Sequence, residues 1–111
     1  TLVARGERTG ILVFCIPVCC ELDLKKAAKA VGEKSIAMIK SKELLPLTGY
    51  IHGGCSPIGM KKMFKTVINE SAVNFDTIIF SAGKIGYQVE VSLEELKKIV
   101  RYELKDVIIE E

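Results

Sequence analysis

Apolar positions change their spacing repeatedly along the chain, and each change marks an element. Residues 3–5 and 11–18 carry strand-like apolar runs around the polar link RGERTG, whose two glycines supply tight-turn backbone geometry. This pattern predicts a hairpin. Asp23 then precedes helical spacing over residues 24–31; its carboxylate accepts first-turn amides, and Gly32 suits the position after the last turn. Lys25, Lys26 and Lys29 line one side of that helix as a solvated face.

Residues 35–39 (SIAMI) predict a short strand, and Ser41, Glu43 and Leu44 open a brief helix that Pro46 keeps short and Gly49 closes. Strands follow at residues 65–68 and 77–81, with a helical turn over 69–74 between them. Alternation over residues 86–91 predicts another strand. Ser92 with Glu95 forms a capping box for a helix over 93–100, and residues 107–109 form a last strand. Six or seven short strands and three helices in irregular order exclude a doubly wound alternating sheet. The expected fold class is α+β, one domain over residues 1–111, with a mixed, barrel-like sheet and flanking helices.

Composition narrows the function classes. The 111 residues are 49% hydrophobic and 27% charged, enough for a core without disulfide staples, and a net charge of +2 means that any polyanion contact needs a local basic patch. The longest apolar run, residues 10–20, is short of the ~20 residues of a membrane helix and contains Pro17. Without a basic leader before it, a cytoplasmic protein is expected. Thr1 is not an initiator methionine, and the residues after it already read as strand, so an N-terminal piece is expected to be missing.

Cys15, Cys19, Cys20 and Cys55 read as free thiols, mostly buried. CxxxCC with one distant histidine lacks zinc-site spacing, so neither a metal nor another cofactor is expected. A thiol-redox reading through Cys19, Cys20 or Cys55 lacks the CxxC arrangement and a helix start to activate a thiolate.

The unusual stretch is GYIHGGCSPIGMKK, residues 49–62. Adjacent Gly53 and Gly54 let backbone approach a ligand closely, and amide-lined loops of this kind hold carbonyl oxygens or anions; a purely structural turn has the same composition. Lys61, Lys62 and Lys65 place cations just beyond it, as a polyanion contact or as plain solvated surface. Ser81 ends a strand before a second glycine-bearing turn, SAGKIG, where its hydroxyl faces a pocket or merely shapes the turn. His52, the sole histidine, has no visible carboxylate or nucleophile partner. No Ser-His-Asp order, Walker loop or dinucleotide fingerprint is present.

The segment TGYIHGGCSPIGMKKMFKTVINESAVNFDTIIFSAGKIGYQVEVSLEEL resembles the YbaK/EbsC-like family of aminoacyl-tRNA editing proteins, relatives of the editing domain of prolyl-tRNA synthetases. The GGxSPxG loop, the KTVIN strand and the SAGKxG turn occur in order, and LDLKKAAKAVG extends the likeness towards the start. The resemblance implies a trans-acting deacylase for Cys-tRNA(Pro), with Cys-tRNA(Cys) as a second substrate. In that mechanism the substrate's own thiol attacks its ester carbonyl and leaves as a cyclic thiolactone. The alternatives are an Ala-tRNA(Pro)-type deacylase and a catalytically incomplete module that binds the tRNA acceptor end.

The implied partners are aminoacyl-tRNA and prolyl-tRNA synthetase, with no membrane and no DNA. Carried over by position, Gly53, Gly54 and Thr1 are the catalytic positions, Thr1 directly following the family's lysine, which this chain lacks. His52, Ser56, Pro57, Gly59, Ser81 and Gln88 are the substrate-binding positions, with His52 standing where relatives carry Arg and Gln88 where some carry Asp. Lys61, Lys62 and Lys65 are the tRNA-binding positions, and Cys55 occupies a variable place in the loop.

Overall fold

The computed structural model describes residues 1–17, 19–51, 54–60 and 64–109. Strands β1 (Leu2–Gly6) and β2 (Gly10–Cys15) form the expected hairpin, with Leu2 opposite Phe14 and Gly6 opposite Gly10. β2 stops three residues before the predicted end, because Pro17 has no amide to extend a ladder; Val18 lies outside the described residues. Helix α1 (Leu24–Val31) begins where the sequence places it, with Asp23 Oδ1 accepting from the amides of Lys25 and Lys26 at 2.9 and 3.1 Å. β3 (Ile36–Met38), α2 (Ser41–Thr48), β4 (Lys65–Asn69), a 3-10 turn (Glu70–Asn74), β5 (Ile78–Ser81), β6 (Gln88–Val91), α3 (Leu93–Lys97) and β7 (Tyr102–Lys105) complete the order.

The α+β class is as expected. Five strands form a mixed sheet in the order β3-β1-β2-β4-β7, while β5 and β6 pair as a separate antiparallel hairpin. β2, β4 and β7 run parallel, and β1 is antiparallel to both its neighbours. The two sheets do not join into a closed barrel among the described residues.

Alternation along the central strands sends side chains to two covered faces. On one face Ala4, Leu12, Phe14 and Val67 pack against Ala27, Ala28 and Val31 of α1. On the other, Val3 and Ile11 meet Leu44 of α2, Tyr50 and Cys55, while Ile68 meets Leu96 of α3 and Phe80 of β5. The second face therefore carries α2, the glycine-rich loop and the β5–β6 hairpin, and it holds the candidate site.

The final strand differs from the sequence expectation. The alternating YELK segment forms β7, with Tyr102 and Leu104 turned inward, whereas Val107 enters the core and donates its amide to Asn69 Oδ1 at 3.1 Å. Ile108 makes only an isolated bridge, to Leu22. α3 is also shorter than residues 93–100, ending at Lys97 in turns that close on the Leu96 carbonyl. Lys26 is not simply solvated: its Nζ meets Asp106 Oδ2 at 3.1 Å and the Ile108 carbonyl at 3.0 Å, fastening α1 to the chain beyond β7.

Glu33 locks the first hairpin to α1. Its buried carboxylate accepts from the amides of Arg8 and Thr9 at 2.8 and 2.7 Å and from Thr9 Oγ1 at 2.7 Å. A side chain at Gly6 would collide with Oε2, which explains a glycine at the strand end. The Thr9 amide, then its hydroxyl and the Arg8 amide, hold the Glu33 pKa below its ordinary 4.5. This contribution to stability is full above the unfolded pKa and is lost as pH falls through the folded one. Glu33→Gln should therefore melt earlier than the parent at pH 7, with the gap narrowing as the pH drops below 4.5. Parallel thermal melts across that range check it; a pH-independent gap would assign the effect to shape alone.

Candidate functional site

The glycine-rich loop is organised by Tyr50, a residue that the sequence reading did not single out. Tyr50 follows the left-handed Gly49 that closes α2, accepts no role in the sheet, and donates its hydroxyl proton to the Ile58 carbonyl across the loop. Its amide donates to Thr48 Oγ1 at 3.1 Å, and that buried hydroxyl donates to the Leu44 carbonyl at 2.8 Å. The ring also touches the β5–β6 turn: a Cβ on Gly83 would lie 2.9 Å from Tyr50 Cε1, and Gly83 has φ of 101°. Gly83 is thus required twice, for its left-handed backbone and for the space the ring takes.

Gly54 is buried and is not among the positive-φ glycines. It is needed for close approach to the turn. A Cβ there would meet the Ile85 amide nitrogen at 3.2 Å and Lys84 Cα at 3.4 Å. Its own N–H donates to the Ile51 carbonyl at 3.0 Å, so it is not free to bind a substrate oxygen. Ser56 is buried and its hydroxyl accepts from the Ile58 amide at 3.2 Å, which makes it a loop former.

A cavity of about 320 Å³ opens beside this loop and brings together residues far apart along the chain, from Thr1 to Ser81. Thr1, Ser81 and Cys55 share its wall, Leu2, Val3 and Leu44 give it apolar surface, and Lys40 and Ser41 at the start of α2 border it. The salt bridge from Arg5 Nη1 to Glu43 Oε1 at 3.0 Å ties β1 to the first turn of α2, which fixes that border. Thr1 Oγ1 lies 3.7 Å from Cys15 Sγ. Ser81 Oγ accepts from the Gly83 amide at 3.3 Å, so the same turn that packs on Gly54 sets the position of the serine.

The remaining predicted positions separate. Gln88 is the cross-strand partner of Ser81 and shares its face of the hairpin, but it is exposed and does not line the cavity. Pro57 and Gly59 border a different and larger cavity on the far side of the loop, together with Lys65. His52, Gly53, Lys61 and Lys62 lie outside the described residues. Lys40, Ser41 and Cys55 are cavity residues to which the sequence reading gave no substrate-binding role; their only shared signal is proximity in the fold.

The chemistry of the cavity is one of positioning. Among the described residues its wall holds hydroxyls, a thiol and one ammonium, with no carboxylate and no histidine. Burial raises the pKa of both Cys15 and Cys55, which keeps these thiols protonated and weakly nucleophilic at neutral pH. Cys19 is exposed with its sulfur 3.6 Å from Cys20 Sγ, away from the cavity lining. Among the described residues no helix is long and apolar enough to cross a membrane, and no three His, Cys, Asp or Glu side chains converge as metal ligands.

Comparison with known proteins gives a consistent picture. Residues 1–99 match the family described as the aminoacyl-tRNA editing domain. A protein of Enterococcus faecalis (strain ATCC 700802 / V583), provisionally named Cys-tRNA(Pro)/Cys-tRNA(Cys) deacylase EbsC, is 47% identical over 111 residues, covering 100% of this chain and 68% of the relative. A crystal structure described provisionally as a trans-editing enzyme for prolyl tRNA synthetase superposes with a TM-score of 0.88 at 24% identity, over 98% of this chain and 68% of its own. A hypothetical protein of known structure superposes with a TM-score of 0.88 at 21% identity, over 98% and 72% respectively. At these identities the two structures establish the shared fold.

Proposed function

The chain belongs to the aminoacyl-tRNA editing domain family, and from that premise we propose that it deacylates Cys-tRNA(Pro), and Cys-tRNA(Cys) as a second substrate, by substrate-thiol-assisted cleavage in the cytoplasm. The observation that carries this reading is the cavity itself, which joins Thr1 and Ser81 beneath the glycine loop yet, among the described residues, offers no base and nucleophile pair of its own. A site of this kind accelerates a reaction by holding groups that the substrate supplies. The family relative's name points to the same substrates.

In the proposed step the cysteinyl sulfur attacks the ester carbonyl carbon and forms the S–C bond. The C–O bond to the terminal ribose breaks, the sulfur's proton goes to solvent, and the ribose oxygen leaves as a hydroxyl by taking up a proton. Ser81 orients the aminoacyl group, Thr1 borders the reacting ester, and the Cys55 amide, which has no partner among the described residues, donates to the developing oxyanion. Gly53 keeps the catalytic role that the resemblance implies for it. His52, Ser56, Pro57, Gly59 and Gln88 are assigned to substrate binding through the loop and hairpin that carry them. The family lysine belongs immediately before Thr1, and a residue there lies within one peptide unit, about 3.8 Å, of a cavity-lining position.

The deciding experiment is deacylation of purified Cys-tRNA(Pro) by a form in which lysine precedes Thr1 and by the same form with alanine there. Turnover that requires the lysine supports the assignment. Acceptor binding without cleavage in both forms would favour the binding-module reading.

The basic stretch beyond the loop gives a second expected result. Lys65 is exposed and its side chain makes no hydrogen bond or ion pair among the described residues. Replacing Lys61, Lys62 and Lys65 together by Ala should flatten the dependence of log K on log salt by up to about three contacts, near 0.9 each for a duplex. Titration of tRNA binding at several salt concentrations measures the slope, and an unchanged slope would make these lysines plain surface.

A further inference from the structure

A larger cavity, about 670 Å³, lies across the loop from the proposed catalytic one and takes no part in the bond-breaking step above. Pro57, Gly59 and Met60 of the loop form one side, and Phe64 and Lys65 at the entry to β4 and Arg101 and Tyr102 at the entry to β7 contribute the other. Thr66 is the register partner of Tyr102, so Lys65 and Arg101 enter the parallel β4–β7 pair side by side, on strands about 4.8 Å apart. Both are exposed, and neither forms an ion pair or side-chain hydrogen bond among the described residues. One carboxylate, Glu103, also borders the groove and stays beyond ion-pair distance of Arg101.

We propose that this groove binds the unpaired nucleotides of an RNA acceptor end, with Lys65 and Arg101 on the phosphates and the Phe64 ring under a base. The proposal rests on the tRNA-editing reading and gives the substrate strand its path. Adjacent like charges repel, and a bridging phosphate relieves that repulsion. A half-buried aromatic ring beside unpaired cations is the combination with which proteins hold single-stranded nucleic acid. The loop is the shared wall: Cys55 lines the catalytic cavity and Pro57 the groove, and two residues of chain span at most about 7 Å. A strand whose terminal ester sits in the first cavity therefore reaches the second within a few nucleotides.

The test is binding of an uncharged RNA minihelix with an unpaired 3′ end and of the same duplex made blunt, which reads the groove whether or not deacylation occurs. Phe64→Ala should weaken binding of the unpaired form roughly 5- to 100-fold, the range of one base–aromatic stack, and leave the blunt form unaffected. Phe64→Tyr should restore it, whereas Phe64→Leu, which keeps apolar bulk in the fold, should not. Arg101→Ala should flatten the salt slope by about 0.7, one single-strand contact. Equal effects on both RNAs, or rescue by leucine, would overturn the proposal. Binding with this pattern but without any cleavage of Cys-tRNA by the form in which lysine precedes Thr1 would sink the deacylase reading and uphold the groove.

Discussion

Cys-tRNA(Pro) is expected to be deacylated at least about 100-fold faster than Ala-tRNA(Pro), a difference of about 2.7 kcal/mol in barrier. Both esters place the same carbonyl in the same cavity, so the difference must come from the side chain. A thiol tethered through two carbons to the reacting carbonyl has an effective concentration far above that of water, worth up to about 7–11 kcal/mol in favourable cases. The small ring that forms is strained and removes part of that advantage, which is why the expected ratio is well below the ceiling. Serine separates reactivity from fit, since Ser-tRNA has nearly the same shape and a far less acidic nucleophile. It should react at the alanine rate.

The same comparison distinguishes the substrate's thiol from the protein's. Cys55 lines the cavity, but burial holds its thiol above the ordinary pKa of 9.0 and leaves little thiolate at neutral pH. A Cys55 nucleophile would attack alanyl and cysteinyl esters alike, giving similar rates. Single-turnover deacylation of purified Cys-, Ser- and Ala-tRNA measures the ratio directly, and equal rates would end the thiol-assisted mechanism. Preference for alanine would instead favour the Ala-tRNA(Pro)-type alternative.

What could be read from the sequence was local. Asp23 and Gly32 bracket α1 because a cap and its helix lie within one short stretch. Ser92 and Glu95 locate α3 for the same reason, the Ser92 hydroxyl accepting from the Glu95 amide at 3.1 Å. The last strand was misplaced because three apolar residues at 107–109 outweighed the alternation of YELK; tertiary contact with Asn69 takes Val107 into the core instead. Gly54 and Gly83 stood out as glycines, but their reasons are contacts with Ile85 and Tyr50, each more than thirty positions away along the chain. Thr1 and Ser81 meet only when β1 and the end of β5 frame one cavity. The motif therefore marked the site, while its working geometry depends on partners that carry no local signature.

That dependence sets the expected behaviour of Gly54→Val. Even alanine would place Cβ at 3.2 Å from the Ile85 nitrogen, close enough to demand a shift of a few tenths of an ångström. Valine adds two methyl groups against backbone that cannot rotate away. The Lys84–Ile85 turn must retreat, drawing with it Gly83, whose amide is hydrogen-bonded to Ser81 Oγ, and the serine leaves its place on the cavity wall. Overpacking of this kind costs about 1–3 kcal/mol, so the variant should melt earlier yet remain folded. Turnover of Cys-tRNA should fall at least about 100-fold, the scale of losing one aligned donor or positioning contact, and Gly54→Ala should lose much less. Deacylation kinetics and thermal melts on the parent and both variants, each with lysine before Thr1, provide the check. A folded Gly54→Val protein with normal turnover would show that the contact between loop and turn does not set the reacting geometry.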